Sequence, residues 1–248
     1  MFGVKNTAFS FRQQNFSNHD NEYSDSTAYL MLTLHNRVRQ DLASGNFSWP
    51  PASDMRLMVW DQELESLAQQ SLALWLSTSC TLSPSECFWT TPIKQFAQNY
   101  AVAGYPGRAP NIEDIFDSWT IFGSTKSMEN PSFWKSFSNV MSASSFKLGC
   151  GQTVLEERNH HARFVLCYYD PGSISQIDDV IIDESFLYKR GVPCSECPYG
   201  TACNASSIYP NLCAIDDTII FSSRGMSESK INIYHPMLVV LFVTSFNR

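Results

Sequence analysis

Polar residues dominate the start of the chain, where Asn, Ser and Gln recur and residues 1–25 are expected to be disordered. From Ser26 the pattern changes. Leu30, Leu34, Val38 and Leu42 recur every fourth position, which gives a helix one apolar face. Residues 46–54 contain Pro50 and Pro51 and predict a loop, because consecutive prolines remove amide donors and block helix entry. A second helix is expected from Asp61, a suitable N-cap, with Leu64, Leu67, Ala68, Ser71, Leu74 and Trp75 on its buried side. Residues 80–110 carry Pro84, Pro92, Pro106 and Pro110 and read as loop. Asn111 can cap a third helix with Ile115, Phe116 and Trp119 as its buried stripe, and Glu113 and Asp114 suit the positive end of its dipole. A fourth helix is expected over about 132–143. Residues 147–155 and 162–169 predict strands joined by a polar turn over 156–161.

Helices followed by a hairpin and further short strands predict an α+β sandwich. No stretch repeats at a period of 20–50 residues, which excludes solenoids and propellers. From Cys194 the chain becomes dense in cysteine and too poor in apolar residues to fold without cross-links.

With 248 residues, 44% hydrophobic and 13% aromatic, the chain can bury a substantial core. Its net charge of −7 and lack of a basic run exclude a nucleic-acid partner, since neutralising phosphates needs clustered Lys and Arg. Eight cysteines, with glycosylation sequons at Asn15, Asn46 and Asn204, point to an oxidising, extracellular setting. Asn130 is excluded as an acceptor by Pro131. The first residues show no apolar signal-peptide core, so a leader is expected to have been lost or removed. Near the other end, residues 237–246 are apolar but too few to span a bilayer as a helix. With small residues at 222–225 they weakly match a lipid-anchor signal; a terminal strand is the competing reading.

HNRVR at 35–39, DMRLMVWDQELESLAQ at 54–69, LGCG at 148–151, VLCYYDPG at 165–172 and CSECPYGTAC at 194–203, in that order, together resemble the CAP superfamily of cysteine-rich secretory proteins, insect venom antigens and plant pathogenesis-related proteins. His35-Asn36-Arg37-Val38-Arg39 is similar to the HNxxR of the family's first helix. DMRLMVWDQELESLAQ, residues 54–69, resembles the start of its second. LGCG at 148–151 and VLCYYDPG at 165–172 resemble its last two strands. CSECPYGTAC at 194–203 and LC at 212–213 resemble the hinge of secreted worm members. The resemblance covers about residues 26–215. It implies a three-layer α-β-α sandwich over 26–180, a cysteine-rich hinge module over 190–215 and a separate tail over 216–248. It also implies the disulfides Cys150–Cys167, Cys194–Cys203 and Cys197–Cys213, which leaves Cys80 and Cys87 to each other.

Many members of that family hold a divalent metal on two His and two Glu, a donor set suited to zinc-like ions. Placed on this sequence, those four positions fall on Pro84, Gln98, Phe122 and Ser136. A neutral set of that kind cannot offset the dehydration of a dication, so no metal and no other cofactor is expected.

The remaining candidates are bland. His35 lies within an apolar helix and reads as a hydrogen-bonded structural residue, while His160 and His161 fall in the expected turn and read as solvated. Cys194-x-x-Cys197 could be a redox pair or half a zinc site, but neither the βαβ context nor a second CxxC is present, and disulfides are preferred. No nucleophile elbow or phosphate-cradling glycine loop occurs. Tyr100, Tyr105, Phe116, Trp119, Phe122, Phe133 and Trp134 are either core or the wall of an apolar cleft. The lining candidates are Tyr100, Trp119, Phe122 and Phe133. The expected function is that of a secreted, non-enzymatic protein that binds an extracellular protein, lipid or sterol. The alternatives are a metal-dependent hydrolase in the same cleft and a lipid-anchored surface protein.

Overall fold

The computed structural model describes residues 20–46, 49–77, 96–120, 131–157, 160–172 and 187–215. Within them the elements run α1 Asp20–Ala43, β1 Val59–Trp60, α2 Gln62–Ser77, β2 Ala97–Pro106, α3 Ile112–Thr120, α4 Pro131–Met141, β3 Lys147–Glu157, β4 His160–Asp170, β5 Thr201–Ala202 and β6 Ala214–Ile215. The main sheet has the order β1-β3-β4-β2, with β1 parallel to β3 and the other pairs antiparallel. Helix α2 covers one face, burying Leu64, Ala68 and Leu72 against Phe164, Leu166 and Tyr168. Helices α1, α3 and α4 cover the other, around Val165, Cys167 and Tyr169. This is the α+β, three-layer arrangement expected.

Asp61 caps α2 as expected, its Oδ1 accepting the N–H groups of Glu63 and Leu64, both at 3.0 Å. The buried stripe of that helix is shifted. Leu72 is buried, whereas Leu74 is 56% exposed. At 100° per residue, Leu64, Ala68, Ser71, Leu72 and Trp75 cluster in direction and Leu74 falls about 100° to one side.

Helix α1 begins at Asp20, inside the segment expected to be disordered. Its deepest face also differs from the expected row: Leu30, Leu34 and Val38 are only partly buried, while Met31, His35, Asn36, Arg39 and Leu42 are buried. Polar residues there are satisfied by backbone groups, which periodicity does not register.

Strand β2 corrects the expectation of a loop over 80–110. Its alternation is faint because one face carries Ala97, Asn99, Ala101 and Ala103; it is a strand because it pairs with β4 over ten positions, from Ala97↔Tyr169 to Pro106↔His160. The hairpin is likewise longer than expected, since Glu156 and Glu157 pair with His161 and His160. The two histidines are therefore strand residues, and His161 Nε2 lies 3.8 Å from Glu156 Oε1.

Gly149 and Gly151 set the seam between β3 and α2. A Cβ at Gly149 would lie 2.2 Å from the backbone N of Glu65, and one at Gly151 would lie 2.6 Å from that of Gln69. The helix backbone thus rests on the strand backbone. Cys150 between them faces the opposite side and is bonded to its cross-strand partner Cys167.

The cysteine-rich segment is docked on the sandwich. Cys194–Cys203 and Cys197–Cys213 are disulfides, and with Cys150–Cys167 they make the three pairs that the resemblance implies; Cys80 and Cys87 lie outside the described residues. Cys213 donates its N–H to Met55 O at 2.8 Å and accepts from Leu57 N–H at 3.0 Å. Leu187, Tyr188 and Leu212 belong to the main core. No helix of the described residues is long and apolar enough to cross a membrane.

Candidate functional site

The interior of the α1/α3/α4 face holds a line of polar side chains. His35 Nδ1 lies 2.7 Å from Met31 O, which can only accept, so the proton sits on Nδ1. Nε2 then accepts from the Tyr169 hydroxyl at 2.9 Å. That hydroxyl accepts from Asn99 Nδ2 at 3.1 Å, and Asn99 Oδ1 accepts from Asn139 Nδ2 at 2.9 Å. The same two amide nitrogens donate to Ser136 O at 2.9 Å and Gln98 O at 3.1 Å. His35, Tyr169, Asn99 and Asn139 are all buried. Burial lowers the His35 pKa to about 3 and pushes the Tyr169 phenol well up. At neutral pH both groups are uncharged and held in place.

One position from His35 on the same helix, Asn36 grips the backbone of Met58, donating to its carbonyl at 3.0 Å and accepting from its N–H at 2.9 Å. Four positions from His35, buried Arg39 spends all five N–H donors on carbonyls. Nε and Nη2 bond Arg56 O at 3.1 and 2.7 Å, Nη1 bonds Val140 O and Ser142 O at 2.8 Å, and Nη2 also bonds Ser145 O at 2.9 Å. Desolvation lowers its pKa to about 9. The HNRVR motif is therefore a set of backbone clamps. Tyr169, Asn99 and Asn139, which complete the line, were not singled out from the sequence. The signal present was only the Asn that follows Gln98 and the Tyr within the last strand motif.

Of the four positions that align with the family's metal ligands, Gln98 and Ser136 lie among the described residues, and Pro84 and Phe122 lie outside them. Gln98 is the cross-strand partner of Tyr168, on the face that α2 covers. Ser136 belongs to α4, on the opposite face. An amide and a hydroxyl so divided, both neutral, do not fit a divalent cation. Among the described residues the one group of three potential metal ligands is Cys194, Cys197 and Cys203. Their sulfurs are taken up in disulfides.

The described aromatic residues divide between the two faces of the sheet. Tyr100 is 40% exposed on the α2 face, edge-on to Trp75 at 6.4 Å. Phe116 and Trp119 are core residues on the other face, with Phe116 edge-on to His35 at 4.8 Å. Trp134 stacks on Trp49 at 5.5 Å. Strand alternation places Tyr100 on the opposite side of the sheet from α1, α3 and α4, so it and Trp119 cannot share a wall. Tyr105 is exposed beneath the Arg108 guanidinium, 5.8 Å from its ring centre. The side chains of Phe122 and Phe133 lie outside the described residues. The indole N–H groups of Trp49, Trp119 and Trp134 are buried with no acceptor among the described residues.

Of the sequon asparagines, Asn15 lies outside the described residues. Asn46 and Asn204 are exposed. Asn46 Nδ2 donates to Asp41 Oδ1 at 3.3 Å, whereas Asn204 Oδ1 accepts from Ser206 N–H at 2.9 Å.

The family model described as "CAP: Cysteine-rich secretory protein family" matches residues 32–169. Among curated proteins, the chain is 27% identical over 205 residues to a "CRISP/Allergen/PR-1" protein of Trittame loki, an alignment covering 74% of this chain and 47% of that protein. It is 28% identical over 195 residues to Scoloptoxin SSD976 of Scolopendra dehaani, covering 74% of this chain and 82% of that one. The chain thus spans about half the length of the first relative and most of the second. The crystal structure of Na-ASP-1 superposes with a TM-score of 0.58 at 21% identity, over 82% of this chain and 49% of that one. At that identity the likeness concerns the fold.

Proposed function

The chain belongs to the CAP family of cysteine-rich secretory proteins, and from that premise we propose that it is an extracellular, non-enzymatic binding protein. The observation that carries this reading is the state of the interior imidazole. His35 has both ring nitrogens engaged, by Met31 O and the Tyr169 hydroxyl, and its lowered pKa keeps it neutral. A group so held cannot exchange protons with a substrate near neutral pH. The neutral pair Gln98 and Ser136 supports the loss of the family's metal site. In the hydrolase alternative His35 could not serve as the general base, since both its ring nitrogens are engaged. Exposed Asn46 and Asn204 are the described positions suited to carry N-linked glycans. The partner class is an extracellular protein or a lipid, met through the outer surface rather than through one aromatic cleft.

Two measurements test the reading. Calorimetric titration of the intact, oxidised chain with zinc should show no saturable heat; a one-to-one, micromolar isotherm would defeat it. Capture from extracellular fluid, followed by lipid extraction of the bound material, should recover a saturable partner. Turnover of an ester or peptide substrate by the purified chain would count against it.

A further inference from the structure

A cavity of about 220 Å³ opens between β1 and the cysteine-rich segment. A fork in the backbone makes it. Cys213 runs beside residues 55–57, held by its bonds to Met55 and Leu57. Beyond that point Val59 turns toward β3, donating its N–H to Phe146 O at 2.7 Å, while Ala214 and Ile215 pair with β5. The space between the diverging branches is walled by Leu57, Val59, Phe146, Ala214 and Ile215, with Arg56 at its side.

Arg56 is the charged group on this wall. Its guanidinium lies 3.6 Å from the centre of the Phe146 ring. The ion pairs among the described residues are Lys147–Asp61, His161–Glu156 and Lys189–Glu196, so no described carboxylate neutralises it. Burial lowers its pKa. A second guanidinium stands behind it, because Arg39 holds the Arg56 carbonyl and every donor of Arg39 is spent on neutral oxygens. Two cations thus lie near each other, the Asp54 carboxylate acting on Arg39 at a distance and no described carboxylate pairing with Arg56. A part-buried charge facing apolar walls is costly unless something pairs with it.

We propose that this cavity binds a small carboxylate with a short apolar body, the carboxylate pairing with Arg56 and the body lying against Val59, Phe146 and Ile215. Guanidinium and carboxylate match as a two-bond pair, and the ring behind Arg56 keeps its plane fixed. The volume is below the usual range for drug-sized ligands, about 300–1,000 Å³, which limits the body to one ring or a short chain. The site shares no side chain with the His35 line or with Gln98 and Ser136. It therefore stands or falls separately from the reading above.

The test uses the intact, oxidised chain with octanoate, octyl alcohol and octylammonium, followed by calorimetry and methyl NMR. Octanoate should bind one-to-one and shift the methyl signals of Leu57, Val59, Ala214 and Ile215. The alcohol should bind at least tenfold more weakly and the ammonium ion not measurably. Arg56→Gln should weaken octanoate at least tenfold with little change in Tm. Ile215→Trp, which fills the cavity and leaves the cation in place, should weaken it as well. Equal binding of acid and alcohol, shifts centred on the methyls of Ile112 and Ile115 instead, unchanged affinity in both variants, or no binding of octanoate would each overturn the proposal.

Discussion

Neutral, buried His35 makes folding sensitive to acid. Its folded pKa of about 3 lies below the model-peptide value of 6.5. Between those values the unfolded chain binds a proton that the native state refuses. Stability is therefore fully present above about pH 6.5 and is lost as pH falls toward 3, by about 1.4 kcal/mol per pH unit from this group. Denaturant titrations at pH 6.5 and 4.5 should differ by roughly 2–3 kcal/mol, and His35→Gln should flatten the slope over that interval. An unchanged slope in the variant would remove His35 as the cause. At this scale the sequence was only half legible. The letters of the HNRVR motif stand out and a structural role for His35 follows from its apolar helix. The partners of Arg39, however, are carbonyls of Val140, Ser142 and Ser145 about a hundred positions away. A backbone carbonyl has no sequence signature.

Among the elements, the α2–β3 seam is the least tolerant of change. A methyl group at Gly151 would meet helix backbone at 2.6 Å, and backbone cannot swing aside as a side chain can. Gly151→Ala should cost about 3 kcal/mol, read as a lowered denaturant midpoint. Gly107→Ala, by contrast, meets nothing within 4 Å, and its cost comes only from the positive φ of 78°. If the two variants were equally stable, the close approach of the layers would be disproved. Helices α2, α3 and α4 were legible because their stripes are strongly apolar. Strand β2 was not, because its inward face is mostly alanine and its order comes from pairing with β4, a partner some 60 positions later. The same strand decides how the described aromatic residues divide, placing Tyr100 and Trp119 on opposite faces of the sheet.

Over the whole molecule, the cysteine-rich segment is set apart by its cross-links more than by its packing. Ser53 N–H bonds Lys189 O at 2.8 Å, Ala143 N–H bonds Leu187 O at 2.7 Å, and Asn211 Nδ2 bonds Ser44 Oγ at 2.8 Å. Removing a disulfide that closes a loop of about 15 residues costs roughly 3 kcal/mol in the chain-entropy model. Timed reduction with alkylation and mass spectrometry should open Cys194–Cys203, neither of whose cysteines is buried, before Cys197–Cys213 and Cys150–Cys167, in which Cys213 and Cys167 are buried. The sandwich should persist afterwards with a lower Tm, because Leu187, Tyr188 and Leu212 lose their anchorage. Simultaneous loss of all three bonds and of the helical signal would contradict this order. The family resemblance made the cross-links legible, but not the docking, which depends on main-chain bonds to residues 51–57.

The line from Asn139 to Met31 has a direction. Every member gives its hydrogen to the next, and the nitrogen ends of both amides are pinned by the carbonyls of Gln98 and Ser136. Inverting one link would set two lone pairs or two hydrogens against each other, so four side chains from four elements share a single polarity. The head of the line, Asn139 Oδ1, is buried and has no donor among the described residues. The dipoles consequently add from α4 across β2 and β4 into α1, and the interior reads the same way round in every correctly folded copy.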